Sequence, residues 1–174
     1  MRALALGPVL VALLASTARG QDSLPPALAR LRFLLGTWEA VGSGSPGQGA
    51  GRATFAVALG GRIITRTSFA EYPAAGERPA SRHDDLMVIY TAGDTTKADY
   101  YDSEGHVIRY VVTEAGDGSA VFLSAAAAGV PRYRLTYAPT PDGGQDGRFE
   151  VAAPGAPQEF RAYLAWTSRR VLGP

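Results

Sequence analysis

From Thr37 onward the chain is built of short segments in which apolar and polar positions alternate. "RATFAVAL" shows the pattern plainly, with Ala53, Phe55, Val57 and Leu59 at every second position. A period of two places successive side chains on opposite faces, as a half-buried strand requires. The segments are rich in Val, Ile, Thr, Tyr and Phe and are separated by Gly, Pro and Asp. Ten strands are predicted, around 37–42, 52–59, 62–72, 85–91, 97–102, 106–114, 120–126, 132–138, 147–153 and 159–169. One short helix precedes them in "SLPPALARLRFLLG". Pro25 and Pro26 suit a helix start, Leu28, Leu31 and Leu35 share a face, and Gly36 is a natural stop.

The turns follow from residue type. Gly60-Gly61 predicts a two-residue type I′ hairpin, because glycine tolerates positive φ at both positions. "DSEG", Asp102 to Gly105, predicts a type I turn closed by a glycine bulge, and "PDGGQDG", Pro141 to Gly147, a longer tip. "PAAGERPASRH", Pro73 to His83, reads as a long irregular connection.

"GSGSPG", Gly42 to Gly47, matches the spacing of a dinucleotide-binding loop. That loop works between a parallel strand and a helix whose N-terminus meets the phosphates. Here Pro46 and further glycines lead into another strand, so the stretch is expected to be a plain connection between the first two strands.

Ten consecutive strands with short loops must hide two sheet edges, and closure into an antiparallel up-and-down barrel removes both. Ten strands make a cylinder slightly wider than one filled by its own side chains, which predicts a cavity for a small ligand. A β-sandwich is the alternative fold.

The first twenty residues carry Arg2, an apolar run from Ala3 to Ala15 and small residues at cleavage spacing, the form of a secretory signal peptide. The run is too short to span a membrane. Residues 21–174 are then one domain, exported to the periplasm or the medium. Of 17 basic side chains, Arg2 and Arg19 belong to that leader, leaving 15 against 16 acidic ones. A near-neutral domain is not expected to bind nucleic acid, which demands a basic surface. The absence of cysteine excludes disulfides, thiolate metal sites and thiol catalysis.

"FLLGTWEAVGSG", Phe33 to Gly44, combines a short helix, Gly-Thr-Trp at the start of the first strand, and Gly-x-Gly. It resembles the opening of calycin-type barrels: lipocalins, fatty-acid-binding proteins and nitrobindin-like haem barrels. "LGGRIITRTSF" and "YYDSEGHVIRY" are similar to an uncharacterised family of exported bacterial lipocalin-like domains. The resemblance implies that Gly36 lets the chain cross the barrel floor, that the Trp38 indole plugs it, and that a basic residue from the last strand stacks on the indole. Arg169 and Arg170 both stand at that place.

The choice between them sets the faces of "FRAYLAW". With Arg170 on Trp38, the more apolar face of Phe160, Leu164 and Trp166 turns inward. With Arg169 there, Arg161 and Tyr163 turn inward, where Arg-x-Tyr resembles the carboxylate clamp of fatty-acid-binding proteins. In "KADYYDSEGHVIRY" a bulged turn would set Asp102 opposite His106, Tyr100 opposite Ile108, Ala98 opposite Tyr110 and Asp99 opposite Arg109. An Asp–His pair can orient a general base, but beside a turn a surface pair is expected.

The haem of nitrobindin-like barrels needs a histidine near the C-terminus. This chain has only His83 and His106, so no cofactor is expected. "RHDD", Arg82 to Asp85, offers one histidine and two carboxylates beside a loop, where a turn role is expected and no metal site. The ligand-binding candidates are Tyr90, Tyr100, Tyr110, Arg161, Tyr163 and Trp166, with Tyr133 and Tyr137 as further amphipathic side chains. The expected function is to hold a hydrophobic or amphipathic molecule inside the barrel. Alternatives are an isomerase or lyase using the barrel as a vessel around Asp102 and His106, or a solid structural module. The alanines of "SAAAAGV", Ser124 to Val130, argue for interior space against the last of these.

Overall fold

Each strand hydrogen-bonds to the strands before and after it in sequence, and the first bonds to the last, so the sheet closes without an edge. The structure is a computed structural model that describes residues 24–45 and 50–171. Its strands are β1 (Gly36–Ser45), β2 (Ala50–Ala58), β3 (Ile63–Tyr72), β4 (Ser81–Ala92), β5 (Thr95–Asp102), β6 (Val107–Glu114), β7 (Ala120–Ser124), β8 (Arg132–Pro139), β9 (Gln145–Ala152) and β10 (Arg161–Val171). All ten adjacent pairs are antiparallel. The fold is the closed ten-stranded barrel, not the sandwich. The leader expected over residues 1–20 lies outside the described residues. Among the described residues no helix is long and apolar enough to cross a membrane.

β1 runs to Ser45 and β2 starts at Ala50, so Gly42 and Gly44 lie within a strand, and Pro46 and Gly47 lie outside the described residues. Two connections differ from expectation. Ala58 pairs with Ile63, making the Gly60-Gly61 hairpin a four-residue loop with positive φ at Leu59 as well as at both glycines. β4 begins at Ser81, so "RHDD" belongs to a strand and the irregular connection shrinks to residues 73–80.

The first helix is a single turn, α1 (Pro26–Ala29), followed by a 3-10 turn over Arg32–Leu34. The tighter turn buries Leu34 in place of Leu35, beside Leu24, Leu28 and Leu31. Burying each leucine contributes about 1.5–3 kcal/mol. These leucines join Trp38, Phe55, Ile64, Ile89, Val112 and Phe122 in one cluster. The cluster gathers the start of β1 with the strand ends nearest the helix and fills only that half of the cylinder. Phe55, Phe122 and Tyr137 meet edge-on there, and Tyr110 meets Phe122 likewise. The other half is hollow.

The seam explains the Gly-Thr-Trp start. Trp38 pairs with Arg170, Glu39 with Arg169 and Ala40 with Ser168. The Arg170 guanidinium stacks on the indole with its carbon 4.4 Å from the ring centre. Arg170 also donates to the Leu35 carbonyl and, at 3.2 Å, to the Phe33 carbonyl. Trp38 Nε1 donates to the Leu34 carbonyl at 2.7 Å. The 3-10 turn is thereby tied to both strands of the seam. Arg169 points to the other face and pairs with Glu39.

Candidate functional site

The hollow half encloses a cavity of about 560 Å³ that opens at the end carrying the β3–β4 and β5–β6 hairpins. The volume lies within the range usual for small-molecule sites. Three kinds of wall line it. Ala40, Gly51, Ala53 and Ala70 on β1–β3 are small and leave the space. Tyr133, Phe149, Val151, Leu164 and Trp166 on β8–β10 form an apolar, aromatic wall. Tyr133 stacks on Phe149 with ring centres 5.8 Å apart, and Trp166 meets Tyr137 edge-on. Trp166 lies flat over Gly147, where a Cβ would overlap the indole. The alanines expected to leave space, 125–128, lie instead in an exposed loop after β7.

The third wall, on β3–β6, is polar. Arg66 is buried and donates to the Tyr137 hydroxyl across the barrel and to Asp85 on the neighbouring strand. Ser68 donates to the other Asp85 oxygen at 2.7 Å. Burial on its own would lower the Arg66 pKa, but Tyr137 and Asp85 outweigh it and hold the guanidinium charged. Burial, and then Asp85, push the Tyr100 phenol well up, and burial does the same to Tyr110. Both phenols stay protonated at neutral pH.

Nearer the mouth, His83 lies between two partners. Its Nδ1 is 2.8 Å from Glu104 Oε2 and its Nε2 is 2.9 Å from the Tyr100 hydroxyl. In the neutral ring Nδ1–H donates to the carboxylate and Nε2 faces the phenol, whose single hydrogen goes either to Nε2 or to Asp102 Oδ2 at 3.4 Å. Asp102 is 4 % exposed. One of its oxygens accepts from the backbone N–H groups of Glu104 and His106, closing the turn, and the other faces His106 Nδ1 at 2.9 Å. Burial would raise this carboxyl, but the His106 backbone N–H, the imidazole and the Glu104 N–H hold it below the ordinary carboxylate range. His83, Asp102 and Glu104 present ligand-type atoms within 4.8 Å of one another. They are the residues that could hold a cation, though hydrogen bonds already join them to neighbours.

The predicted site residues separate into two groups. Tyr100, Tyr110, Tyr163 and Trp166 line the cavity. Tyr90 does not; it donates to Asp99, off the cavity. Arg161 is exposed and does not line it either, so the Arg-x-Tyr clamp is not assembled. β10 also carries a bulge: Ala162 pairs with Glu150 and Leu164 with Phe149, leaving Tyr163 as the extra residue, so Arg161 stands opposite Val151 but at the exposed end of the strand. Arg170 takes Trp38, and Leu164 and Trp166 face inward, as that choice implied. Phe160, expected beside them, instead stacks under Arg134 with the guanidinium carbon 4.2 Å from its ring. Tyr163 stands at the rim, 66 % exposed.

The hairpin register is the one the bulged turn predicted, with Ala98 opposite Tyr110, Asp99 opposite Arg109 and Tyr100 opposite Ile108. Its Asp102–His106 pair stands at the mouth of the cavity, with the His106 side chain 65 % exposed, as a surface pair would be, and the Asp102 carboxylate turned inward beneath it. His83 and Asp85, expected in a solvated turn, alternate inward along β4. Arg66 carries the polar wall and had no place among the predicted residues. Its signal was present, since Arg66 and Ser68 occupy the inward phase set by Ile64 in "IITRTSF".

No protein-family model matches this sequence, and none of the curated proteins does.

Proposed function

We propose that this protein is an exported, calycin-like barrel that holds a small amphipathic molecule in its hollow half. The observation that carries the reading is the division of one cavity into an aromatic wall on β8–β10 and a buried polar wall centred on Arg66. An apolar body lies against Tyr133, Phe149 and Trp166, where burial of its surface drives binding. Its polar group meets the β3–β6 wall. The Gly36-x-Trp38 start with a basic partner from the last strand supports the calycin assignment. The apolar run from Ala3 supports export.

The test is titration with N-phenyl-1-naphthylamine, a neutral dye that brightens in apolar surroundings. One dye per protein, bound with micromolar or tighter affinity, is expected. A dye that stays dark at high protein concentration refutes a carrier role.

A second reading, an acid–base enzyme, has its own observation in the Tyr100–His83–Glu104 chain, a hydroxyl, imidazole and carboxylate in hydrogen-bonded sequence. His83 is the base in this reading, because Asp102 is engaged by the turn beside His106. Exchange of the methyl protons of 2-acetylnaphthalene in D₂O, followed by NMR, tests it. With the Tyr100 hydroxyl turned to Asp102, its other partner at 3.4 Å, His83 Nε2 would be free to take a methyl proton, and the enolate would be deuterated on the same carbon. Exchange no faster than in buffer, or equally fast in His83→Ala, disposes of this reading.

A further inference from the structure

Among the described residues, two buried side-chain atoms have no hydrogen-bond partner: Arg66 Nε and Gln145 Nε2. Both residues line the same cavity at its deep end. Arg66 reaches the Tyr137 hydroxyl across the barrel, and Gln145 opens the strand beside Tyr137, paired with Pro139 on one side and Ser168 on the other. Gln145 is 1 % exposed. Its amide can turn either end toward a partner, but the Arg66 Nε–H is a donor only, so it sets the polarity. An orphaned buried donor is costly unless something brings it an acceptor.

We infer that the floor of the cavity is a subsite for a neutral hydrogen-bond acceptor, a ketone, ester or amide oxygen, on the end of the ligand that enters first. The inference rests on the carrier reading above and specifies its ligand. Charge decides against a carboxylate. Arg66 is the one cation among the buried residues of the described chain, and Asp85 already neutralises it, each side chain being 6 % exposed. A second anion on the same guanidinium would face Asp85 without compensation in a region of low dielectric. Asp102, also buried, adds to the repulsion from the mouth side. The remaining cations that line the cavity, Arg52, Arg78 and Arg82, stand at the exposed rim. Arg52 and Arg82 are paired there with Glu39, Glu71 and Asp84, and Arg78 donates to the Pro73 carbonyl. The histidines face Glu104 and Asp102. A neutral acceptor takes the orphan donors without adding charge, while its apolar body stays against Trp166 and Phe149.

Three naphthalenes of nearly equal shape separate the possibilities: 2-ethylnaphthalene without an acceptor, 2-acetylnaphthalene with a neutral one, and 2-naphthoate with an anionic one. Each competes with N-phenyl-1-naphthylamine on the full-length protein at pH 7.5. The ketone is expected to bind about tenfold or more tightly than the ethyl compound, as a hydrogen bond to an otherwise unpaired buried donor implies. The naphthoate should be the weakest of the three. Gln145→Met, which keeps the shape and removes the amide, should erase most of the ketone's advantage and leave 2-ethylnaphthalene within about twofold. If the dye binds and the ketone shows no advantage in the wild-type protein, or the naphthoate binds best, the subsite is wrong and the carrier reading stands. If the dye itself does not bind, both fall.

Discussion

Trp38 and Arg170 are direct partners across the seam of the barrel, with the guanidinium carbon 4.4 Å from the indole centre. The same guanidinium donates to two carbonyls of the 3-10 turn, so one side chain joins the last strand, the first strand and the plug. Gly36 makes this possible. Its φ is 114°, where an L-residue is strained, and a Cβ there would lie 2.5 Å from Arg170 Nη1. Arg170→Met should cost about 1–2 kcal/mol, from a cation–π contact and two hydrogen bonds at a partly solvated site. Gly36→Ala should cost about 2 kcal/mol or more. Because the added methyl collides with Arg170, the double variant should lose measurably less than the two single losses together. Urea denaturation of the four proteins measures the coupling; strict additivity would mean that the close approach is unimportant.

Trp166 has its seat on Gly147, and Gly147→Ala displaces the indole toward the cavity. The barrel should still form, with a loss of about 1–3 kcal/mol for overpacking. The near-ultraviolet circular dichroism of the indole should change, and affinity for N-phenyl-1-naphthylamine should fall several-fold. An unchanged dye affinity would show that the aromatic wall does not touch the bound molecule.

The buried Arg66–Asp85 pair predicts an asymmetric response. Arg66→Met leaves the carboxylate with Ser68 and, at 3.7 Å, the His83 imidazole beside it but without its buried cation, and should cost about 3–5 kcal/mol. Arg66→Met with Asp85→Asn removes both charges and should be more stable than Arg66→Met alone. Denaturation midpoints at neutral pH decide it; a single variant costing under about 1 kcal/mol contradicts the burial of the pair.

Asp102 should set part of the acid sensitivity. Its folded pKa lies below the ordinary value of about 3.9, so it binds a proton less readily folded than unfolded. The stability it contributes is therefore complete above that ordinary value and is lost as pH falls through the lower folded one. His106→Ala removes the imidazole but leaves the two backbone donors, so the Asp102 pKa should rise only part of the way back. Carboxyl-carbon NMR titration reads this directly, and no movement would show that the imidazole does not contact Asp102 in solution.

What could be read from the sequence, and what could not, has one physical cause. Alternation reveals a strand when its inward residues are apolar, which is why Phe55 and Val57 identify β2. The bulged turn over Asp102 to Gly105 gave the β5–β6 register, because turn type and loop length fix which residues face one another, and Asp99 opposite Arg109 agrees with it. The start of β4 was hidden for the converse reason. His83 and Asp85 occupy inward positions, so the strand carries polar residues where the pattern calls for apolar ones and reads as loop. Departures of this kind gather where a fold gives up local consistency for a site. The Tyr163 bulge was hidden differently. One extra residue reverses the faces of all that precede it, and nothing in "FRAYLAW" marks where the insertion falls.

The central claim is that the hollow half of the barrel receives a molecule beside its small-residue wall. Ala70, which lines the cavity between Gly51 and His83 on the adjacent strands, is the place to close it. Titration of wild type and Ala70→Trp with N-phenyl-1-naphthylamine is the most direct measurement. The account predicts one bound dye in the wild type and loss of that binding in a variant whose far-ultraviolet circular dichroism is unchanged. Equal dye binding by both folded proteins would place the dye outside the barrel and contradict the account.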